Sequence, residues 1–245
     1  ERFHQHGTGT LFRVADDHFL VTAAHVLAEA RKGKADLLLG PAHGTTTGLS
    51  GHSFYSQRRS KIFDDDLLDV AMVRLEPPVV EHLLSDGCEF LGLGNVSLSD
   101  KLGPDFYLVL GFPAEWMPSK PVGGDEPLQG TALKYLMTLF DGDTGNLGNF
   151  DSEYHLLLNA DPDLRVGPGG SAPDSLTRVN GMSGASIWRL DVHNPDGEAK
   201  IVALQTSWYD RPPIIKGTFW WHVAWAIGER IPKHRPVIQS YGRFG

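Results

Sequence analysis

The stretch Asn180-Gly181-Met182-Ser183-Gly184-Ala185-Ser186-Ile187-Trp188-Arg189-Leu190 decides how the chain is read. A serine stands in a turn of small residues, and the turn leads straight into an apolar and aromatic run of strand character, not into a helix. Glycine on both sides of Ser183 lets the backbone turn sharply and aim its N–H groups at a ligand. The same texture continues outward: short β-branched or aromatic segments alternate with 28 Gly and 16 Pro. Strands are expected over residues 8–14, 18–22, 36–39, 70–75, 106–110, 155–158, 186–191, 201–206 and 219–223. A hairpin turn is expected at Asp16-Asp17. Only residues 23–31 and 224–231, the latter closed by Pro232, read as helices. Residues 118–175, rich in Gly and Pro, read as largely loop. The expectation is an all-β chain of two packed halves, residues 1–112 and 113–245, joined near Gly111-Phe112-Pro113.

With 245 residues, 41% hydrophobic and 21% charged, the chain has the composition of a soluble globular protein able to bury a core. A net charge of −8 argues against a nucleic-acid partner, which would need a basic surface. No membrane span is long enough, and Glu1 to His6 lack a signal layout, so no membrane partner and a cytoplasmic location are expected. A single cysteine, Cys88, excludes internal disulfides and thiolate zinc sites, and it reads as a small residue buried beside Phe90 and Leu91. Nucleotide and phosphate loops are absent and no HxxxH pair encloses an acid, so neither cofactor nor metal is expected. Asp141-Gly142-Asp143-Thr144-Gly145-Asn146 starts like a calcium loop, but Gly145, Asn146 and Ser152 stand where a ligand, the turn glycine and a bidentate Glu are needed. The acids of residues 135–164 read as solvated loop charges, with steering of a basic substrate as the functional alternative.

Two further segments join the serine turn. Leu20-Val21-Thr22-Ala23-Ala24-His25-Val26-Leu27 is a strand that runs through two alanines into a histidine at the start of a helical turn. In Asp69-Val70-Ala71-Met72-Val73-Arg74-Leu75 one carboxylate opens an apolar strand. A carboxylate at such an edge can accept from an imidazole Nδ1–H and fix its tautomer.

Taken in order, these three segments resemble the TAAH, D-[IVL]-A-[LM] and G-x-S-G motifs of the trypsin/chymotrypsin-like serine proteases. The resemblance spans nearly the whole chain, and the absence of disulfides points to the bacterial-type branch. It implies two six-stranded antiparallel β-barrels with a short C-terminal helix, and a serine endopeptidase working through an acyl-enzyme. By the resemblance Ser183 is the nucleophile, His25 the general base, and Asp69 the residue that orients it. The N–H groups of Gly181 and Ser183 form the oxyanion hole. Thr177 stands near the base of the first specificity pocket, with Thr206, Ser207 and Trp208 on its wall strand. No acid stands at Thr177, so a neutral or small side chain is expected before the cleaved bond.

One position departs from the pattern. Met182 stands where digestive members carry an acid that pairs with a newly released N-terminus, and a thioether cannot hold an ammonium. Activation by N-terminal cleavage is therefore not expected; activity that is constitutive or controlled by a fused domain or partner protein is. An α/β-hydrolase would need a helix after Ser183 and its acid and histidine downstream. A protease-like binding module, latent or without catalysis, is the alternative from another class, and the intact set of three residues speaks against it. Trp220, Trp221 and Trp225 are expected to be buried against the second half.

Overall fold

The computed structural model of the chain describes residues 5–32, 37–40, 43–56, 67–99, 102–103, 105–114, 128–129, 132–160, 165–166, 180–191, 193 and 197–242. Its N-terminal half is an antiparallel sheet of four strands: β1 (Thr10–Val14), β2 (Asp17–Ala23), β3 (Gly51–Tyr55) and β4 (Val70–Leu75). Spatially β1 lies beside β2, β2 beside β4, and β4 beside β3. Val14 faces Asp17 across the first hairpin, so its turn is Ala15-Asp16, one residue earlier than expected, with Ala15 at φ 50°. Both faces of this sheet are covered, which explains why β2 and β4 read as nearly unbroken apolar runs. Phe19, Val21, Val70 and Met72 pack toward helix Trp220–Arg230. On the opposite face Leu20, Ala71 and Val73 pack under Leu27 of α1 (Ala24–Lys32) and Val79 and Leu83 of α2 (Pro77–Ser85). Leu38–Leu39 and Thr47–Gly48 add a short pair at the side. Among the described residues this half does not close into a ring.

The C-terminal half is a closed barrel of six antiparallel strands: β5 (Phe106–Gly111), β6 (Leu133–Leu139), β7 (His155–Asn159), β8 (Ser186–Leu190), β9 (Lys200–Asp210) and β10 (Pro213–Phe219). Pairing runs from β7 to β10, β9, β8, β5 and β6, and β6 returns to β7 through Thr138↔Asn159 and Leu139↔Leu158. Tyr107, Val109, Leu133, Tyr135, Met137, Leu156, Leu158 and Ile187 fill the interior at alternate positions along their strands, the period of two that a barrel wall imposes. The chain is thus predominantly β, with a six-stranded barrel and the short helices α3 (Trp220–Arg230) and α4 (Arg235–Tyr241) at its end.

The strand before Gly111, expected in the first half, is β5: it pairs with β6 and β8 and is a stave of the C-terminal barrel. The segment read as loop holds two staves, β6 and β7. Residues 219–223 do not form a strand: β10 ends at Phe219, and Trp220 begins α3. Among the described residues four α-helices form rather than two, and one of them, α2, starts on Pro77-Pro78, where a first-turn proline needs no hydrogen-bond partner. Trp220 is fully buried, but Trp225 is 47% exposed, because it lies off the buried stripe of Trp220, Val223, Ala224 and Ile227. Cys88 is partly exposed, and burial first, with Asp86 second, holds its thiol above the usual range. No helix among the described residues is long and apolar enough to cross a membrane.

Candidate active site

Asp69 adopts φ 48°, a left-handed conformation that Asp tolerates better than most side chains. There it meets the start of α1 with three acceptors. Its carbonyl accepts the Ala24 N–H at 2.9 Å, Oδ1 accepts the His25 N–H at 3.0 Å, and Oδ2 lies 2.7 Å from His25 Nδ1. Two N–H groups that the helix itself cannot satisfy are thereby capped from another strand, at the helix end that favours negative charge. A carboxylate can only accept, so Nδ1 carries the ring proton and Nε2 is the basic nitrogen. The His25 side chain is 32% exposed and that of Asp69 13%, so the pair is half-shielded and reachable from solvent.

The serine turn is brought against this pair by the backbone. Thr8 N–H donates to the Ser183 carbonyl at 2.8 Å, and the Thr22 hydroxyl donates to the Thr8 carbonyl at 2.6 Å. A side chain on Gly7 would strike Val26, beside His25, at 2.6 Å and the Ser183 carbonyl at 2.9 Å. Gly184, at φ +92°, is packed against the Thr8 carbonyl and Thr22 so closely that no side chain fits. Segments 7–8, 22–26 and 181–184 therefore form one contact region. Among the described residues no hydrogen bond joins Ser183 Oγ to His25; the two are neighbours through the backbone contacts just given.

Met182 explains how the turn is anchored. It is fully buried in the barrel interior, in the same cluster as Tyr107, Tyr135 and Ile187. An apolar plug occupies the position where the resemblance would place an ion pair. Two carbonyls of the turn are also taken: Ala114 N–H donates to Asn180 O and Ala185 N–H to Met182 O, each at 2.8 Å. In a trans peptide the N–H points away from its carbonyl, so these bonds orient the N–H groups of Gly181 and Ser183. Neither N–H donates to a partner among the described residues, which suits them to receive an oxyanion. Gly181 needs its freedom: φ is +85°, and a side chain would meet Ala114 N at 2.8 Å.

Of the expected wall residues, Thr177 lies outside the described residues. Thr206 is buried in an irregularity of the β9–β10 register, while Ser207 and Trp208 are half-buried on β9. That strand is tied to the serine turn by Gly184 N–H to Gln205 O and Gln205 N–H to Ala185 O, both 2.8 Å. Sequence reasoning missed the support given by Gln5, whose amide donates to the carbonyls of Phe112 and Gly181, and by the Thr8 hydroxyl, which bridges Phe112 N–H and Gly181 O. Neither residue belongs to a motif. In the calcium-like loop, Asp143 Oδ1 accepts the Gly145 N–H at 2.8 Å and closes a local turn.

No family model matches the chain, and no curated protein matches it in sequence. Among solved structures it is similar to a Glu endopeptidase in complex with MPD, at 11% identity and TM-score 0.47, over 88% of this chain and 85% of that one. It is also similar to an inactive mutant form of Rv3671c from M. tuberculosis H37Rv, at 12% identity and TM-score 0.42, over 91% and 80%. A chain from work on the coupled folding and binding of the Sesbania mosaic virus VPg protein gives 14% identity and TM-score 0.45, over 88% and 80%. Similarity at this level assigns no activity to this chain.

Proposed function

We propose that this chain is a serine endopeptidase. The observation that carries the reading is the double hold of Asp69 on His25, backbone and ring together, beside the turn whose Gly181 and Ser183 N–H groups donate to no partner among the described residues. In this reading Ser183 Oγ attacks the scissile carbonyl carbon while its proton passes to His25 Nε2. The C–N bond then breaks, the amine leaves with that proton, and water repeats the sequence on the acyl-enzyme to release the acid and restore Ser183. Asp69 stabilises the imidazolium, and the Gly181 and Ser183 N–H groups bind the oxyanion, a device worth about 10²–10³ in rate for one donor. Met182 in the barrel core offers an N-terminal ammonium no ion-pair partner, so activity is constitutive or controlled by a fused domain or partner. A neutral or small side chain before the cleaved bond is the matching preference, and its test is a peptide library.

A fluorophosphonate probe tests the assignment: the wild-type protein should be labelled at Ser183 and Ser183→Ala should not, by intact mass. A folded wild-type protein that takes no label by itself would retire the reading of a constitutively active enzyme. The second reading is a latent protease-like binding module, in which the fold and its contact region serve recognition. Labelling that appears only with a bound partner protein would distinguish it.

A further inference from the structure

His155 and Thr218 lie directly opposite each other on β7 and β10 of the C-terminal barrel. Both are buried, at 2% and 0% exposure. Yet each sends one hydrogen bond to the other half of the molecule. His155 Nε2 is 2.7 Å from the Leu67 carbonyl, and the Thr218 hydroxyl donates to the Leu68 carbonyl at 2.6 Å. These are the two residues that precede Asp69. A carbonyl can only accept, so Nε2 carries the His155 proton, and Nδ1 accepts the Asp151 N–H at 3.1 Å.

We propose that His155 and Thr218 are positioning residues for Asp69: from the opposite barrel they grip two consecutive carbonyls and hold the left-handed turn that aims the carboxylate at His25. This rests on the hydrolase reading above. Asp69 sits in a conformation that its own backbone does not favour, and such a residue keeps its place only where the surroundings over-determine it. On its far side it is fixed by Ala24, His25 and strand β4; on its near side Leu67 and Leu68 enter held by the two barrel side chains. A buried polar pair in which each side chain sends a hydrogen bond to a loop of the other half fits a part that transmits position.

The experiment compares Thr218→Val with Thr218→Ser, and His155→Leu with His155→Gln, in the whole chain. The first of each pair removes the donor and the second keeps one. Two signals are read: the low-field proton resonance of His25 Nδ1–H, which reports its bond to Asp69, and the rate of fluorophosphonate labelling. Thr218→Val and His155→Leu are expected to shift or broaden the resonance and slow labelling about 10²-fold, the scale of a misplacement near 1 Å. Thr218→Ser and His155→Gln should retain both signals. The proposal is overturned if either donor-less variant, folded by circular dichroism, keeps the resonance and the labelling rate of the wild type. Each pair suffices alone, so a variant that does not fold leaves the other to decide. A wild type that never labels, but whose resonance responds as stated, removes the hydrolase reading and leaves the clamp. Normal labelling with an unmoved resonance does the reverse.

Discussion

At the scale of single residues, the Asp69–His25 contact makes a sharp demand on chemistry. Asp69→Asn keeps the left-handed turn, which Asn also tolerates, but presents an N–H₂ to His25 Nδ1 and forces the proton onto Nε2. Turnover should fall by about 10⁴ while the fold persists, checked by kcat and by circular dichroism. A loss of tenfold or less would show that Asp69 does not set the tautomer. These two residues were legible because each closes or opens a strand: Ala23-Ala24-His25 ends an apolar run, and Asp69 starts one. Gln5 was not legible, because a lone amide ahead of the first strand carries no pattern until Phe112 and Gly181 are folded beside it.

Among the elements, the serine turn depends on what lies beneath it. Met182→Ala should cost about 2–5 kcal/mol by urea unfolding, as for other large-to-small changes in a packed core. Met182→Leu should cost less than about 1.5 kcal/mol and leave the turn intact. Gly184→Ala should destabilise by more than about 1 kcal/mol, since φ +92° disfavours any side chain and the Thr8 carbonyl and Thr22 fill the space. Strand β6 shows why part of the architecture escaped sequence reasoning. Leu133, Tyr135 and Met137 alternate with Lys134 and Thr138 as a half-buried strand should, but the Gly- and Pro-rich sequence around them masks the period. The helical start at Trp220 was missed for another reason: aromatic and β-branched residues favour strands locally, and only packing of Trp220 and Val223 on the four-stranded sheet turns them helical.

For the whole molecule, acid is the informative stress. Burial, followed for His155 by the charge of Lys216, holds both His155 and His222 down to about 4, so each is neutral in the fold and protonates readily once unfolded. Their folded values lie below the unfolded one, so the unfolded chain binds more protons as pH falls. Stability is complete above about pH 6.5 and declines toward about pH 4, by up to about 3 kcal/mol for each ring. Asp17 extends the decline: burial raises its carboxyl, but hydrogen bonds from Lys233 and His234 outweigh this and hold it low, so its contribution is lost at still lower pH. Urea midpoints between pH 7 and 4 should show the fall, with a shallower slope in His222→Gln. A flat profile would mean that neither ring is held neutral.

The ring of staves has one short joint. Strands β5 and β6, like β7 and β10, share five register pairs, whereas β6 meets β7 through Thr138↔Asn159, Leu139↔Leu158 and the bond from Phe140 N–H to Leu157 O. A hoop under thermal strain parts at its shortest overlap, so amide exchange should first uncover Leu139, Phe140 and Leu158 while the β7–β10 pairing stays protected. His155 and Thr218 sit on the protected side of that joint, so their grip on Leu67 and Leu68 should outlast closure of the barrel that carries them.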